Sequence, residues 1–322
     1  MKNSETTNEF DIVRLAEQFQ GKTLEELFPN HRILRNGMGE FLEIRWELNE
    51  GPSRLNLPIT KNWLLKNIKI VENIGEHTEK DFLRRGITSI ADLKQNLRYG
   101  DSAREILESI EKRDHVRLYQ TKDVHDLDVL FCFDLEELLF LDIETMGLHR
   151  EPMILVGIGY YVKDKFSVHQ FFARALEEEI SICEHLKSEI FPAFKCFVTY
   201  NGKSFDIPYL ANRFLYFFDK NPMVHEGTLL EGNNAKFHHV DLYHNCRRKY
   251  KNLCESFALT SVERNVLKWR RPSNIPGHMI GAWYKKYLKN PKKYAGLMKE
   301  LVDHNFHDIR SMPFILEKLL KT

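Results

Sequence analysis

Two acids one residue apart, Asp142 and Glu144, interrupt the apolar run LFLDIETMGL at 139–148. Alternate residues of a strand share a face, so both carboxylates project side by side from the edge of an apolar core. Such a pair requires a cation or a proton. Two more acids stand where apolar segments meet expected helices: Asp206 in YNGKSFDIPYL and Asp308 in LVDHNFHDIRSM. If all four converge with spacings of ~5 Å at an effective dielectric of ~20, each pair repels by roughly 3 kcal/mol. Summed over the pairs, that rivals a domain's whole stability of ~5 to 15 kcal/mol. Hard divalent ions bound by carboxylate oxygen remove the conflict, and two of them about 4 Å apart form the usual clamp for phosphodiester hydrolysis. His304 stands four residues before Asp308, on the same face of a helix, and is the candidate general base for water. Asn305 shares the useful face and is a candidate substrate contact, or else a solvated polar residue. His307 points about 100° away around the helix and is a bystander. The plainer alternatives are an exposed strand end for Asp142 and Glu144, and a helix N-cap for Asp206.

The elements that must position these acids are legible as patterns. Apolar runs at 138–143, 154–162 and 166–172, a helical stretch at 176–191 and a further run at 196–200 predict three consecutive strands, a helix and a fourth strand. That order suggests a mixed sheet covered by helices, an α/β class. We place this main domain at 133–322, behind a short acidic linker from Asp123 to Asp128. A small, mostly helical domain is expected at 62–118, and 1–61 is a segment of unclear role containing the strand-like GEFLEIRWEL. The helical domain resembles a helix-hairpin-helix module, with Ile74 and Gly75 at the hairpin, Phe82 and Leu83 as core and Gly86 ending the second helix. In such a module, backbone amides at a helix start hold a phosphate. Asn73 and Glu79 depart from the usual pattern there, and a plain helical spacer is the alternative.

Composition narrows the setting. The 322 residues carry a net charge of only +1, but between Leu242 and Tyr294 thirteen Lys and Arg face two acids, Glu255 and Glu263. The segments RRKYK, KWRR and YKKYLKNPKKY interleave these cations with Trp269, Tyr284, Tyr287 and Tyr294. Cations that track phosphates and rings that stack on bases would form a single-strand channel; amphipathic helices with core aromatics would give the same pattern. Arg270 and Arg271 are the candidate nucleic-acid contacts of this stretch. Five cysteines with no CxxC pair point away from a zinc site and a disulfide framework, toward a reducing cytoplasmic compartment. The polar N-terminus shows no signal peptide, and the longest apolar stretch, 152–162, is shorter than a membrane helix of ~20 residues, so no membrane is expected.

LDIETMGL, YNGKSFDIPYL and HNFHDI, in that order, resemble the three exonuclease motifs of the DEDD superfamily, which has an RNase H-like fold, and within it the YprB-type RNase H-like family. The resemblance implies an RNase H-like mixed sheet flanked by helices. It implies that Asp142, Glu144, Asp206 and Asp308 ligate two Mg²⁺ or Mn²⁺ ions, and that the chain is a 3′ to 5′ exonuclease acting on single-stranded nucleic acid ends. Asn201, in the second motif, is implied near the nucleic acid strand, with Gly202 permitting close backbone approach. His304 occupies the position of the tyrosine subclass, one residue off the histidine subclass. IPG at 275–277 resembles a family loop, with Asn274 where Asp is expected. Two alternatives stay open: a structure-specific endonuclease using the same chemistry, and a non-catalytic nucleic-acid-binding scaffold.

Overall fold

The apolar runs become the centre of a seven-stranded sheet in a computed structural model that describes residues 12–48, 54–148, 150–225, 235–271 and 275–321. The strands are β1 (His31–Asn36), β2 (Gly39–Leu48), β3 (Leu138–Thr145), β4 (Met153–Val162), β5 (Lys165–Phe172), β6 (Cys196–Thr199) and β7 (His238–Asp241). Their spatial order is β1-β2-β5-β4-β3-β6-β7. β3, β4 and β5 form an antiparallel meander, while β6 runs parallel to β3 and β7 parallel to β6. β3 and β4 are buried along almost their whole length, as strands covered on both faces must be. The expected mixed α/β sheet flanked by helices is what the chain forms.

The segment without a readable role supplies two of the seven strands. β1 and β2 pair as a hairpin, and β2 adds antiparallel to β5 with Ile44 opposite Gln170 and Trp46 opposite Val168. Between hairpin and meander the described residues form four short α-helices, α1 (Ile59–Lys66), α2 (Glu76–Arg84), α3 (Gly100–Glu111) and α4 (His115–Gln120). They share a core that includes Leu64, Ile68, Phe82, Ile90, Ala103, Ile106 and Leu118. Leu83 does not join it and is 48% exposed, because neighbouring helix residues face about 100° apart and Phe82 takes the inward position. Asn73 adopts a left-handed φ of 63° before α2, and Gly86 with φ 80° ends it.

The acidic linker is docked rather than merely solvated. Asp126 is buried and accepts hydrogen bonds from Lys203 Nζ (2.6 Å), Asn245 Nδ2 (2.9 Å) and the amides of Leu127 (2.9 Å) and Asp241 (3.1 Å). Burial pushes this carboxyl up, but the Lys203 ammonium and the other donors outweigh it and hold Asp126 at about 2. Lys203 is the cation that anchors the linker.

On one face of the sheet, α5 (Glu179–His185) and α6 (Asp206–Phe218) pack on Leu139, Leu141, Ile143 and Phe171. The expected helix at 176–191 is thus α5 continued by a wider turn at Leu186–Ile190. The other face carries α7 (Leu242–Tyr250) and the 30-residue α9 (Pro291–Leu320), with α8 (Gly277–Lys289) packed against α9. Helix α9 seats directly on β4, which has no side chain beneath it at two alternate positions. A Cβ at Gly157 would lie 2.8 Å from Asn305 Cγ, and one at Gly159 would lie 2.7 Å from Ile309 Cγ2 and closer still to the Phe166 ring of β5. The two glycines share a strand face and Asn305 and Ile309 share a helix face, so the periodicities of 2 and 3.6 meet along this contact. Among the described residues, no helix is long and apolar enough to cross a membrane.

The glycine contact is testable. Gly159→Ala should lower the free energy of unfolding by about 1–3 kcal/mol through overpacking, read as a lower urea midpoint at unchanged slope. An unchanged midpoint would mean that α9 is not seated against β4.

Candidate metal centre

Strand alternation carries Asp142 and Glu144 toward α9, next to Phe140 on the same face of β3. Asp206 is the first residue of α6, and the cap position is taken by Phe205, so Asp206 does not cap the helix. Its Oδ1 instead accepts the Ile143 amide at 3.0 Å, which fixes the start of α6 to β3 between the two motif acids. Asp308 faces them from the middle of α9. Glu144, Asp206 and Asp308 are each less than a tenth exposed, and Asp142 is partly buried.

The structure therefore brings all four acids together around Asp142. Burial first, then the carboxylates of Asp308, Asp206 and Glu144, push Asp142 far above the ordinary range. Burial, then Asp308 and Asp206, do the same to Glu144, against the pull of Arg271. Asp206 is pushed up to about 7, mainly by burial, with Asp241 and Asp308 adding to it and its backbone hydrogen bonds opposing. His304 closes the group: Glu144, His304 and Asp308 each offer a ligand atom within 4.8 Å of the others. His304 Nε2 lies 3.4 Å from Asp308 Oδ2, while its buried Nδ1 meets no partner among the described residues.

Several sequence expectations change here. Arg271 does not reach for nucleic acid; its side chain is 7% exposed and bound up inside the cluster. Nε and Nη2 each lie 2.6 Å from Glu263 oxygens, and Nη2 lies 2.5 Å from Asp308 Oδ1. Arg270, its neighbour, stays on the surface. Asn305 is neither solvated nor placed to touch substrate: it is fully buried and donates from Nδ2 to Asp142 Oδ2 at 2.8 Å. Asn201 is exposed, with a left-handed φ of 65°, and its amide donates to Asp241 Oδ1 at 2.8 Å. The Lys203 amide donates to Asp241 Oδ2 at 3.1 Å, so Asp241 shapes the loop that delivers Asp206. Asp241 escaped the sequence reading, because the short strand HHVD that it ends carries no apolar run to mark it.

In the basic stretch, Tyr284 and Tyr287 are core residues, as an amphipathic helix with inward aromatics requires. The Tyr284 hydroxyl donates to the Ala173 carbonyl at 2.8 Å. The Trp269 ring packs edge-on against Phe314 under the Arg310 guanidinium. Lys285, Lys286 and Lys289 remain exposed. Asn274 lies outside the described residues.

The donor set fits hard divalent ions. Its ligand atoms are carboxylate oxygens with one imidazole nearby, and three buried acids with the partly buried Asp142 face the Arg271 guanidinium, which Glu263 already pairs. Without added metal, protons must do the balancing. Because these folded-state pKa values lie above the ordinary value of about 4, the folded protein binds more protons than the unfolded chain between that pH and about 7, where Asp206 titrates. Stability from this cluster is then fully present below pH ~4 and is lost as pH rises through the folded values. Thermal unfolding in a chelator should show the melting temperature falling across this window, and Mg²⁺ or Mn²⁺ should reverse the trend. A melting temperature indifferent to both would count against an ion site.

Comparison with known proteins agrees with this geometry. The family model described as RNase_H superfamily matches residues 139–320, from the start of the first motif to the end of α9. An uncharacterized Bacillus subtilis (strain 168) protein, YprB, is 28% identical over 183 residues, covering 56% of this chain and 41% of that protein's length. With more than half of its length matched, and with the sheet order and acid placement described above, the chain belongs to the RNase H superfamily.

Proposed function

We propose that this protein is a metal-dependent nuclease that hydrolyses phosphodiester bonds, working 3′ to 5′ from single-stranded ends with two Mg²⁺ or Mn²⁺ ions. The observation that carries the reading is the convergence of Asp142, Glu144, Asp206 and Asp308, where burial and neighbouring carboxylates raise the proton affinity of Asp142, Glu144 and Asp206. Asp142, Glu144, Asp206 and Asp308 would hold the ions. Bound there, divalent ions supply a lowered pKa for water and neutralise charge on the phosphoryl oxygens. His304 would serve as the general base, its Nε2 turned toward the acids at 3.4 Å from Asp308 Oδ2 and free to accept a proton only where it is not donating to that carboxylate.

The surroundings suit an unpaired strand. A groove of about 420 Å³ opens beside Glu144, lined by Met146, Leu148, Phe205 and His278. Leu148 and Phe205 also line a second groove of about 850 Å³ that carries exposed Arg150 with Tyr209 and Tyr216, while Arg213 beneath it is paired with Glu179. Apolar and aromatic walls with cations beside them can take bases and phosphates in turn. Exposed Arg270 and Asn201 are the remaining candidate substrate contacts. The direction of digestion rests on the motif resemblance alone. A phosphate contact at the Gly75 turn, where α2 starts without a side-chain cap, would extend the track to the helical domain. Five unpaired thiols suit a cytoplasmic setting.

Asp142→Ala should slow Mn²⁺-dependent digestion of an end-labelled single strand by about 10³-fold, the scale of several kcal/mol of lost ion stabilisation, with an unchanged far-UV spectrum. Equal rates would remove the assignment. Mononucleotides released from the 3′ end are expected, whereas internal fragments would favour the endonuclease. Single-strand affinity should fall linearly in log salt, and Arg270→Ala should flatten that slope by about one unit.

A further inference from the structure

Asp142, Gly157 and Gln170 lie in one rung across β3, β4 and β5. The middle position is glycine, and the Asn305 amide from α9 fills the space its side chain would take, spanning from one neighbour to the other. Gln170, itself fully buried, donates from Nε2 to the Val302 carbonyl and to Asn305 Oδ1, both at 2.8 Å. Gln170 Oε1 accepts the Trp46 indole N–H at 2.8 Å. The series runs Trp46, Gln170, Asn305, Asp142 and crosses from the N-terminal hairpin to the first motif acid.

The direction of this series is set by chemistry at its fixed members. An indole N–H can only donate and a backbone carbonyl can only accept, so Trp46 and Val302 together fix which end of the Gln170 amide faces which way. Gln170 then offers Asn305 a donor, Asn305 must answer with Oδ1, and its Nδ2 is left pointing at Asp142. The donated hydrogen bond engages Asp142 Oδ2, leaving Oδ1 as that carboxylate's other oxygen. Reversal of either amide would set oxygen against oxygen in a buried site, which is costly without compensation.

We propose that the hairpin β1–β2 is a working part of the centre, with Trp46 and Gln170 acting as positioning residues that orient Asp142 through Asn305 for ion binding. The proposal rests on the reading of the acids as an ion site, and it extends that site to residue 46, outside the family match at 139–320.

The test is Mn²⁺ titration of the protein without nucleic acid, by calorimetry or by electron paramagnetic resonance of free Mn²⁺. Trp46→Phe keeps an aromatic ring against Phe28 and Phe306 and removes the N–H together with part of the ring volume, which the melting temperature monitors. It should weaken Mn²⁺ binding three- to tenfold while the melting temperature stays within a few degrees. Asn305→Ala should weaken binding at least as much, and the double variant should bind no more weakly than Asn305→Ala alone, because both act through one connection. In a parallel experiment with Mg²⁺, the Trp46 indole proton resonance should shift in the wild type and stay still in Asn305→Ala. Wild-type affinity in Trp46→Phe, or additive losses in the double variant, would overturn the proposal while leaving the ion site intact. A wild-type protein that binds no divalent ion would overturn both.

Discussion

Like charges held close together out of water are the constraint around which this molecule is arranged. The chain must collect Asp142 and Glu144 from β3, Asp206 from the start of α6 and Asp308 from the middle of α9. Burial and the neighbouring carboxylates push Asp142 and Glu144 well above the ordinary carboxylate range. Such a group survives only where a rigid frame leaves it no means of spreading apart. The frame is a strand buried on both faces, a helix start fixed by the Ile143 amide and a long helix seated on two glycines.

Those glycines carry more than packing. Gly159 lets α9 approach β4, which brings Asp308 within reach of Glu144. Gly157 does the same one rung along and leaves a space that only a planar amide fills, which turns a packing concession into a hydrogen-bonded connection between β3 and β5. Backbone approach and carboxylate orientation are thus two results of one local absence. The Asp126 anchor is the counterpart at the other end of the sheet, where a buried carboxylate holds the linker, α7 and the loop before Asp206 in register.

Much of this was legible in the chain because it depends on local pattern. Alternation in LFLDIETMGL gave both the strand and the shared face of its acids, and the four-residue step from His304 to Asp308 gave a helix face. What could not be read were roles set by contacts distant in sequence. Arg271 sits in a cationic stretch like any surface arginine, and only the approach of Glu263 and Asp308 buries it. Asn305 lies on the expected face, yet its partner Gln170 is 135 residues away. The β1–β2 hairpin carried a strand pattern without any sign of where it would attach. Its place beside β5 follows from pairing along a sheet edge, which alternation in a single strand does not specify. The aromatics of α8 show the converse ambiguity, since a stripe of Tyr among lysines describes a buried helix face as well as a stacking platform, and the structure takes the first.

The pairing of Arg271 with Glu263 resolves what would otherwise be a contradiction. A guanidinium touching Asp308 ought to compete with any cation for the same oxygen, and a free arginine there would satisfy the cluster by itself. Glu263 meets Nε and Nη2 with both of its oxygens, so the pair as a whole is close to neutral. Arg271 keeps its geometry and surrenders most of its field. It can then hold Asp308 by Oδ1 while Oδ2 faces His304, and the four acids retain the excess of negative charge that a divalent ion requires. A neutral donor such as asparagine would orient one oxygen as well. The arginine fork gains rigidity from being bound on two sides, and in a site where carboxylates repel one another that rigidity is what keeps Asp308 from turning away.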